Sequence, residues 1–222
     1  MKNSIVQVLF GVLILIGLTA CGSSQFSGLG TNEQPDVSVD NIPDEPSKQE
    51  LISQIEASDS NSIEPIIANN FYLLDTVSGD NESANVYATK QFEMEELVSV
   101  ISDSLTPDEK SEVKDNQQIL IYPNHFVTFK LSEEDSSTIL MEVANDNFVR
   151  NNYSPNYLNS FFTFALINRM LSADNWAQNR RNQCSNGACY GGYSTNRSQN
   201  QGGVTSNRGM STVRGGGPSA GK

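Results

Sequence analysis

The sequence predicts an α+β fold: a small, mostly antiparallel sheet of four or five strands, packed on one face by two or three helices. A disordered N-terminal tether and a Gly-rich C-terminal tail are expected to flank it. Three observations predict this. Short runs with two-residue alternation cluster between residues 118 and 143. A stripe at helical spacing, Met94, Leu97, Val98, Ile101 and Leu105, stands ahead of them. Composition breaks sharply near residues 46 and 176, and 222 residues suffice for one domain with substantial ends. The expected division is therefore a signal peptide over 1–20, an acidic tether over 21–46, the α+β domain over 47–176 and a basic tail over 177–222.

At the start of the chain, Lys2 precedes an apolar run from Ile5 to Leu18 that ends in Leu18-Thr19-Ala20-Cys21. The run spans roughly 21 Å as a helix, short of a ~30 Å hydrocarbon core, and suits the apolar region of a signal peptide. The box resembles a bacterial lipoprotein signal, which implies a diacylglycerol thioether with palmitate-type chains on Cys21 and removal of Met1 to Ala20. An ordinary membrane anchor with an incidental Cys is the alternative, and segment length together with the four-residue box favours the signal. Two or three acyl chains hold a protein far more firmly than one, at ~0.8 kcal/mol per buried CH₂. The expected address is the extracytoplasmic face of the cell membrane. That address argues against ATP, NAD and nucleic acid as partners and permits disulfides.

From Gly22 to Pro46 the residues are mostly Gly, Ser, Asn, Pro and acids, too few of them apolar to offset their ordering entropy. As a random coil this tether spans roughly 25 to 30 Å. Ser47 with Glu50 has capping-box spacing ahead of Leu51, Ile52 and Ile55, and predicts a short helix. A second short helix is expected over Ser62 to Asn69, then an extended segment Phe71 to Val77. After the turn-rich residues 78–83 a strand is expected over Ala84 to Thr89. The clearest helix is Glu93 to Leu105, whose Met and Leu stripe reads as core and whose other face carries Glu93, Glu95, Glu96, Ser102 and Asp103. Thr106 to Asn116, charged and nearly without apolar residues, reads as a loop or exposed turn.

Gln118 to Tyr122 and Phe126 to Leu131 flank Pro123-Asn124-His125 and read as a hairpin. After the acidic turn Glu133-Glu134-Asp135-Ser136, Ile139, Met141 and Val143 alternate with Thr138 and Glu142. These strands read as half-buried members of a meander. Pro155 to Leu171 reads as one helix, apolar nearly all round its middle. Core packing is favoured for it; a membrane or partner contact through Phe161, Phe162 and Phe164, extended by Trp176, Arg180 and Arg181, is the other reading. After Trp176, 27 of the last 48 residues are Gly, Asn, Gln or Ser. That tail is expected to be disordered apart from one staple.

Charge divides the chain in two. From residue 22 to Asp146 there are 25 acids and five bases, while the residues after Asp174 hold five Arg and one Lys with no acid. The tail, Arg214 included, is thus a cation suited to anionic headgroups or wall polymers. Cys184 and Cys189 form an even pair once Cys21 is lipidated, and a disulfide is the expected use. A single His125 leaves too few ligands for a metal site, and no cofactor is expected. At a hairpin turn, His125 reads as a surface or rim residue rather than a catalytic one. Glu95 with Glu96, and Glu133 with Glu134, lie where solvated acids are ordinary. Gly216 to Lys222 has the first part of a P-loop, but neither a strand before it nor a Ser or Thr after Lys222.

The string from Glu142-Val143-Ala144 through Phe148-Val149-Arg150-Asn151-Asn152-Tyr153-Ser154-Pro155, the Cys184/Cys189 pair with Tyr190, and the ending Val213 to Lys222 resemble a family of Gram-positive lipoproteins, domain of unknown function 4247. The resemblance covers most of the chain from about Ser62 onward. It implies a class of envelope lipoprotein and carries over no catalytic residue. The function expected is therefore that of a membrane-anchored, non-enzymatic envelope protein binding a membrane partner or anionic surface. The alternative is a small cell-wall hydrolase using paired carboxylates, which needs two acids of separated pKa in one cleft.

Overall fold

Alternating apolar residues place side chains on both faces of one sheet, and both faces are covered. The computed structural model describes residues 38–79, 81–184 and 189–195. Among them, β1 (Tyr72–Ser78) and β2 (Ser83–Thr89) form a hairpin, while β3 (Glu109–Lys110), β4 (Gln117–Tyr122), β5 (His125–Leu131) and β6 (Ile139–Asn145) form a meander. The spatial order is β1-β2-β6-β5-β4-β3, and every pairing is antiparallel. The α+β class and the antiparallel sheet follow the expectation. The extra strand, β3, lies in the stretch read as a loop, where its two residues pair with Ile121 and Leu120.

The first face carries the helices legible from periodicity. α1 (Lys48–Glu56) starts at Ser47, whose side chain accepts from the Glu50 N–H, and buries Leu51 and Ile55 one turn apart. α2 (Ile63–Asn70) buries Ile63, Ile66 and Ile67, and α3 (Met94–Ser104) buries Leu97, Val98 and Ile101. They pack on Tyr87, Leu120, Tyr122, Val127, Phe129, Ile139, Met141 and Val143 from four strands.

The second face was expected to meet solvent, and instead it carries a second core. α4 (Asp146–Asn152) begins where the Asn145 side chain accepts from the Phe148 N–H at 2.8 Å. α5 (Pro155–Asn159), α6 (Phe164–Met170) and α7 (Trp176–Cys184) follow. Leu158, Phe162, Ile167, Leu171 and Trp176 pack there with Val86, Ala88, Ile119, Ile121, Phe126, Leu140 and Ala144. Helices on both sides explain why β6 is buried at every position from Ile139 to Ala144 instead of alternating.

The single helix expected over Pro155 to Leu171 is two. Ser160 Oγ donates to the Tyr157 carbonyl at 2.7 Å, and Thr163 Oγ1 accepts from the Leu166 N–H at 3.3 Å, so hydroxyls end one helix and cap the next. The break lets Leu158, Phe162, Ile167 and Leu171 enter one core, which a straight helix would spread around its girth. α4 and α7 are tied by Trp176 Nε1 donating to the Arg150 carbonyl at 2.8 Å, while Arg150 Nη2 donates to Leu171 O at 2.6 Å.

Order also reaches beyond the expected domain on both sides. Val39, placed in the tether, begins a short 3₁₀ turn over Val39–Asn41 and is 2% exposed in the second core. Past Trp176, expected to be tail, α7 runs to Cys184, and Tyr190 and Tyr193 are buried. The apolar residues are few in both stretches, but each meets a core that the rest of the chain has already built. The expectations for residues 1–37, including the signal and Cys21, and for Arg214 and the Gly216 to Lys222 string, lie outside the described residues. Among the described residues no helix is long and apolar enough to cross a membrane.

Candidate functional site: a buried glutamate under a tyrosine cluster

Glu142 is the fourth residue of β6, and antiparallel register sets its surroundings. It pairs with Val86 of β2 on one side and Thr128 of β5 on the other, and the row continues to Asp75 of β1 and Ile119 of β4. Alternation points it to the second face, where helices and residues 189–195 cover it, and it is 2% exposed. Its Oε2 accepts from the Tyr193 N–H at 3.1 Å. The hydroxyls of Tyr153 and Tyr190 lie close enough to favour the charged form, yet Glu142 Oε1 and both hydroxyls are buried without a well-directed hydrogen bond.

The aromatic rings form one contact group. Tyr153 meets Tyr190 edge to face with centroids 5.1 Å apart, Phe148 meets both, and Tyr157 lies 5.7 Å from Tyr153. Beside Glu142 a small cavity, with space for about one water-sized group (≈ 10 Å³), is lined by Gln117, Thr128, Lys130, Leu140, Glu142 and Tyr193. Tyr157 Oη donates to Gln117 Oε1 at 2.9 Å, and Tyr193 Oη donates to Asp75 Oδ2 at 3.1 Å.

Burial pushes the Glu142 carboxyl up to about 7; the nearby Tyr153 and Tyr190 hydroxyls, the Tyr193 N–H and the charge of Lys130 pull it part of the way back. Burial likewise raises the Tyr153 and Tyr190 hydroxyls, and the Glu142 charge adds to this. The phenols therefore stay protonated, and Glu142 is the group here that exchanges a proton near neutrality.

The acids singled out from sequence sit elsewhere. Glu96 Oε2 accepts from Lys48 Nζ at 2.7 Å, which lowers its carboxyl, while Glu133 Oε1 accepts from Lys130 Nζ at 2.6 Å. Glu134 Oε2 accepts from the Val39 N–H at 3.5 Å. His125 Nε2 lies 3.4 Å from Glu64 Oε2 at the rim of the first face, as a partly exposed residue. Glu142 is the one carboxylate lining the cavity. Among the described residues no group of three His, Cys, Asp or Glu side chains is placed to hold a metal ion.

The predicted contact residues divide. Phe162 and Trp176 are spent inside the second core, Trp176 being 4% exposed. Phe161 and Phe164 are half-buried against it. Arg181, exposed, lies over the Phe164 ring with 4.4 Å to its centroid, and Arg180 Nε donates to the Tyr153 carbonyl at 3.3 Å. Cys184 and Cys189 form the expected disulfide, with Cα atoms 5.2 Å apart, joining α7 to the segment that bears Tyr190 and Tyr193.

Sequence reading missed Glu142 because an acid at an alternate position of a strand reads as solvent-facing. The available signal was the tyrosine distribution. Four of the seven tyrosines fall at 153, 157, 190 and 193, two of them in the stretch of lowest apolar content.

A family model described as Domain of unknown function (DUF4247) matches residues 51–222. No curated protein and no solved structure matches the chain.

Proposed function

The chain belongs to the DUF4247 family, and from that premise we propose that it is a lipid-anchored protein of the extracytoplasmic membrane face that works by binding rather than by catalysis. The observation that carries the reading is the Cys184–Cys189 disulfide. A bond of that kind persists in an oxidising compartment. It also leaves Cys21, at the end of Leu18-Thr19-Ala20, with no thiol in this chain to pair with. Lipidation is the chemistry that such a cysteine, behind a short apolar run, is suited to.

The binding element on this reading is the basic C-terminal chain together with Arg181 and the outer edges of Phe161 and Phe164, and its target is a membrane partner or an anionic envelope surface. Several acids of the body are engaged in structural bonds: Glu96, Glu133, and Glu109, whose Oε1 accepts from Arg169 Nη2 at 2.6 Å. The hydrolase alternative draws on one observation, a carboxyl held near neutrality at Glu142 with Asp75 on the other end of Tyr193. Loss of wall-hydrolytic activity in both Glu142→Gln and Asp75→Asn would favour it over the binding reading.

Cells grown with radiolabelled palmitate should yield labelled protein, and Cys21→Ser should abolish the label and release the chain from membrane fractions. A tail deletion belongs after Thr195, because Tyr190 and Tyr193 are core residues. In the Cys21→Ser background that deletion should remove the remaining salt-sensitive retention on envelope fractions. Unlabelled wild type, or cytosolic recovery, would overturn the anchor; unchanged retention of the double variant would overturn the tail.

A further inference from the structure

Residues 189–195 cross the second face of the sheet and are held there largely by ionisable side chains. The Tyr193 N–H donates to Glu142 Oε2 at 3.1 Å, its Oη to Asp75 Oδ2 at 3.1 Å, and its carbonyl accepts from Lys130 Nζ at 3.3 Å. Ser194 Oγ donates to Glu133 Oε2 at 3.1 Å. Backbone pairing secures the start, where the Tyr190 N–H donates to Asn152 O at 2.9 Å and Tyr190 O accepts from the Ser154 N–H at 2.7 Å. The disulfide holds that same start beside α7. Tyr193 forms a wall of the cavity next to Glu142, so displacing this segment opens the carboxyl to water.

We propose that residues 189–195 are a strap that lifts from the sheet when Glu142 ionises, exposing the carboxylate and its tyrosines while the sheet itself stays intact. The physical reason is the imbalance beneath the strap. Glu142 is 2% exposed and its Oε1 has no well-directed hydrogen bond, so the nearby Tyr153 and Tyr190 hydroxyls offset the burial of a charge there only in part. The groups facing Glu142 are Lys130 from β5, Tyr153 and Tyr157 from the α4–α5 region, and Tyr190 and Tyr193 from the strap. Behind Tyr193 stand Asp75 of β1 and Glu134 of the β5–β6 loop, and the cation that acts on Glu142, Lys130, is already bonded to Glu133. Ionising Glu142 thus places a third negative charge around Tyr193, beside Asp75 and Glu134. Lifting Tyr193 gives the new charge water, at the loss of three hydrogen bonds made by that residue. A carboxyl held up to about 7 puts the change within the ordinary range of environmental pH. The backbone bonds and the disulfide at the start make the strap swing from the Tyr190 end.

Amide hydrogen exchange on the full chain between pH 5 and 8, corrected for intrinsic rates, tests this. Protection at the Tyr193 amide should fall about tenfold per pH unit between pH 5 and 7, then level off. At pH 7 it should lie at least about tenfold below that of the β5 amides, which need the sheet to open. Glu142→Gln keeps a carbonyl to accept the Tyr193 N–H but cannot ionise, and its Tyr193 protection should be flat with pH. Wild-type protection that does not change with pH, or that equals that of β5 at every pH, would overturn the strap. So would a slope that survives in Glu142→Gln. If that variant does not fold, the two sets of wild-type amides decide the matter.

Discussion

Glu142 shows how strongly one side chain depends on what covers it. A carboxyl in water titrates near 4.5, and here burial outweighs three hydrogen-bonding contacts and a nearby ammonium to bring it to about 7. Because its folded pKa is raised, its contribution to stability is fully present below about pH 4.5 and is lost as pH rises through about 7. At about 1.4 kcal/mol per pH unit, the loss is roughly 3 kcal/mol. Urea midpoints should therefore fall between pH 5 and 8 in the wild type and stay nearly level in Glu142→Gln; parallel slopes in the two proteins would assign the titration to another group. Gly192 serves the same site by conformation. Its φ of +90° lies where side chains are rarely tolerated, and an added Cβ would meet Tyr157 Oη at 2.7 Å.

At the scale of elements, chain segments take their limits from caps and covalent links. Ser47, Asn145 and Thr163 each accept a hydrogen bond from a helix's first turn, and of the three the Ser47 cap, spaced three residues from Glu50, was legible in the sequence. The break between α5 and α6 was not, because Phe161 and Phe162 continue an apolar pattern while Ser160 and Thr163 act through bonds to neighbouring backbone. α7 has little apolar content of its own, so its stability comes from Trp176 and Ala177 in the core and from the disulfide at its end. Closing a loop this short restricts the unfolded chain by about 2 kcal/mol. Replacing both Cys184 and Cys189 with Ser should lower the unfolding free energy by about that amount, measured by denaturant titration. Exchange protection at Tyr190 should fall first, whereas β5 should change only as much as the global stability does.

On the scale of the whole molecule, one antiparallel sheet separates two cores with different sequence origins. The first is built by α1, α2 and α3 against alternating strand residues; the second gathers Val39, α4 to α7 and the 189–195 segment. Truncation separates the expected domain limit from the observed one. Ending the chain after Thr195 keeps every described core residue and should leave the thermal midpoint nearly unchanged. Ending it after Trp176 removes Ala177, Tyr190 and Tyr193, and at about 3 kcal/mol or more for each large aromatic should leave no cooperative transition in calorimetry. Every strand except β3, the first three helices and the paired cysteines were determined by the sequence by itself, since two-residue alternation, helical spacing, capping residues and cysteine parity are local signals. Tertiary structure alone decided that the second face is buried, that the long apolar segment bends, and that Glu142 is the carboxyl enclosed under the tyrosines. Burial is a property of what arrives from elsewhere in the chain, and here the cover on Glu142 comes from a tyrosine 51 residues away.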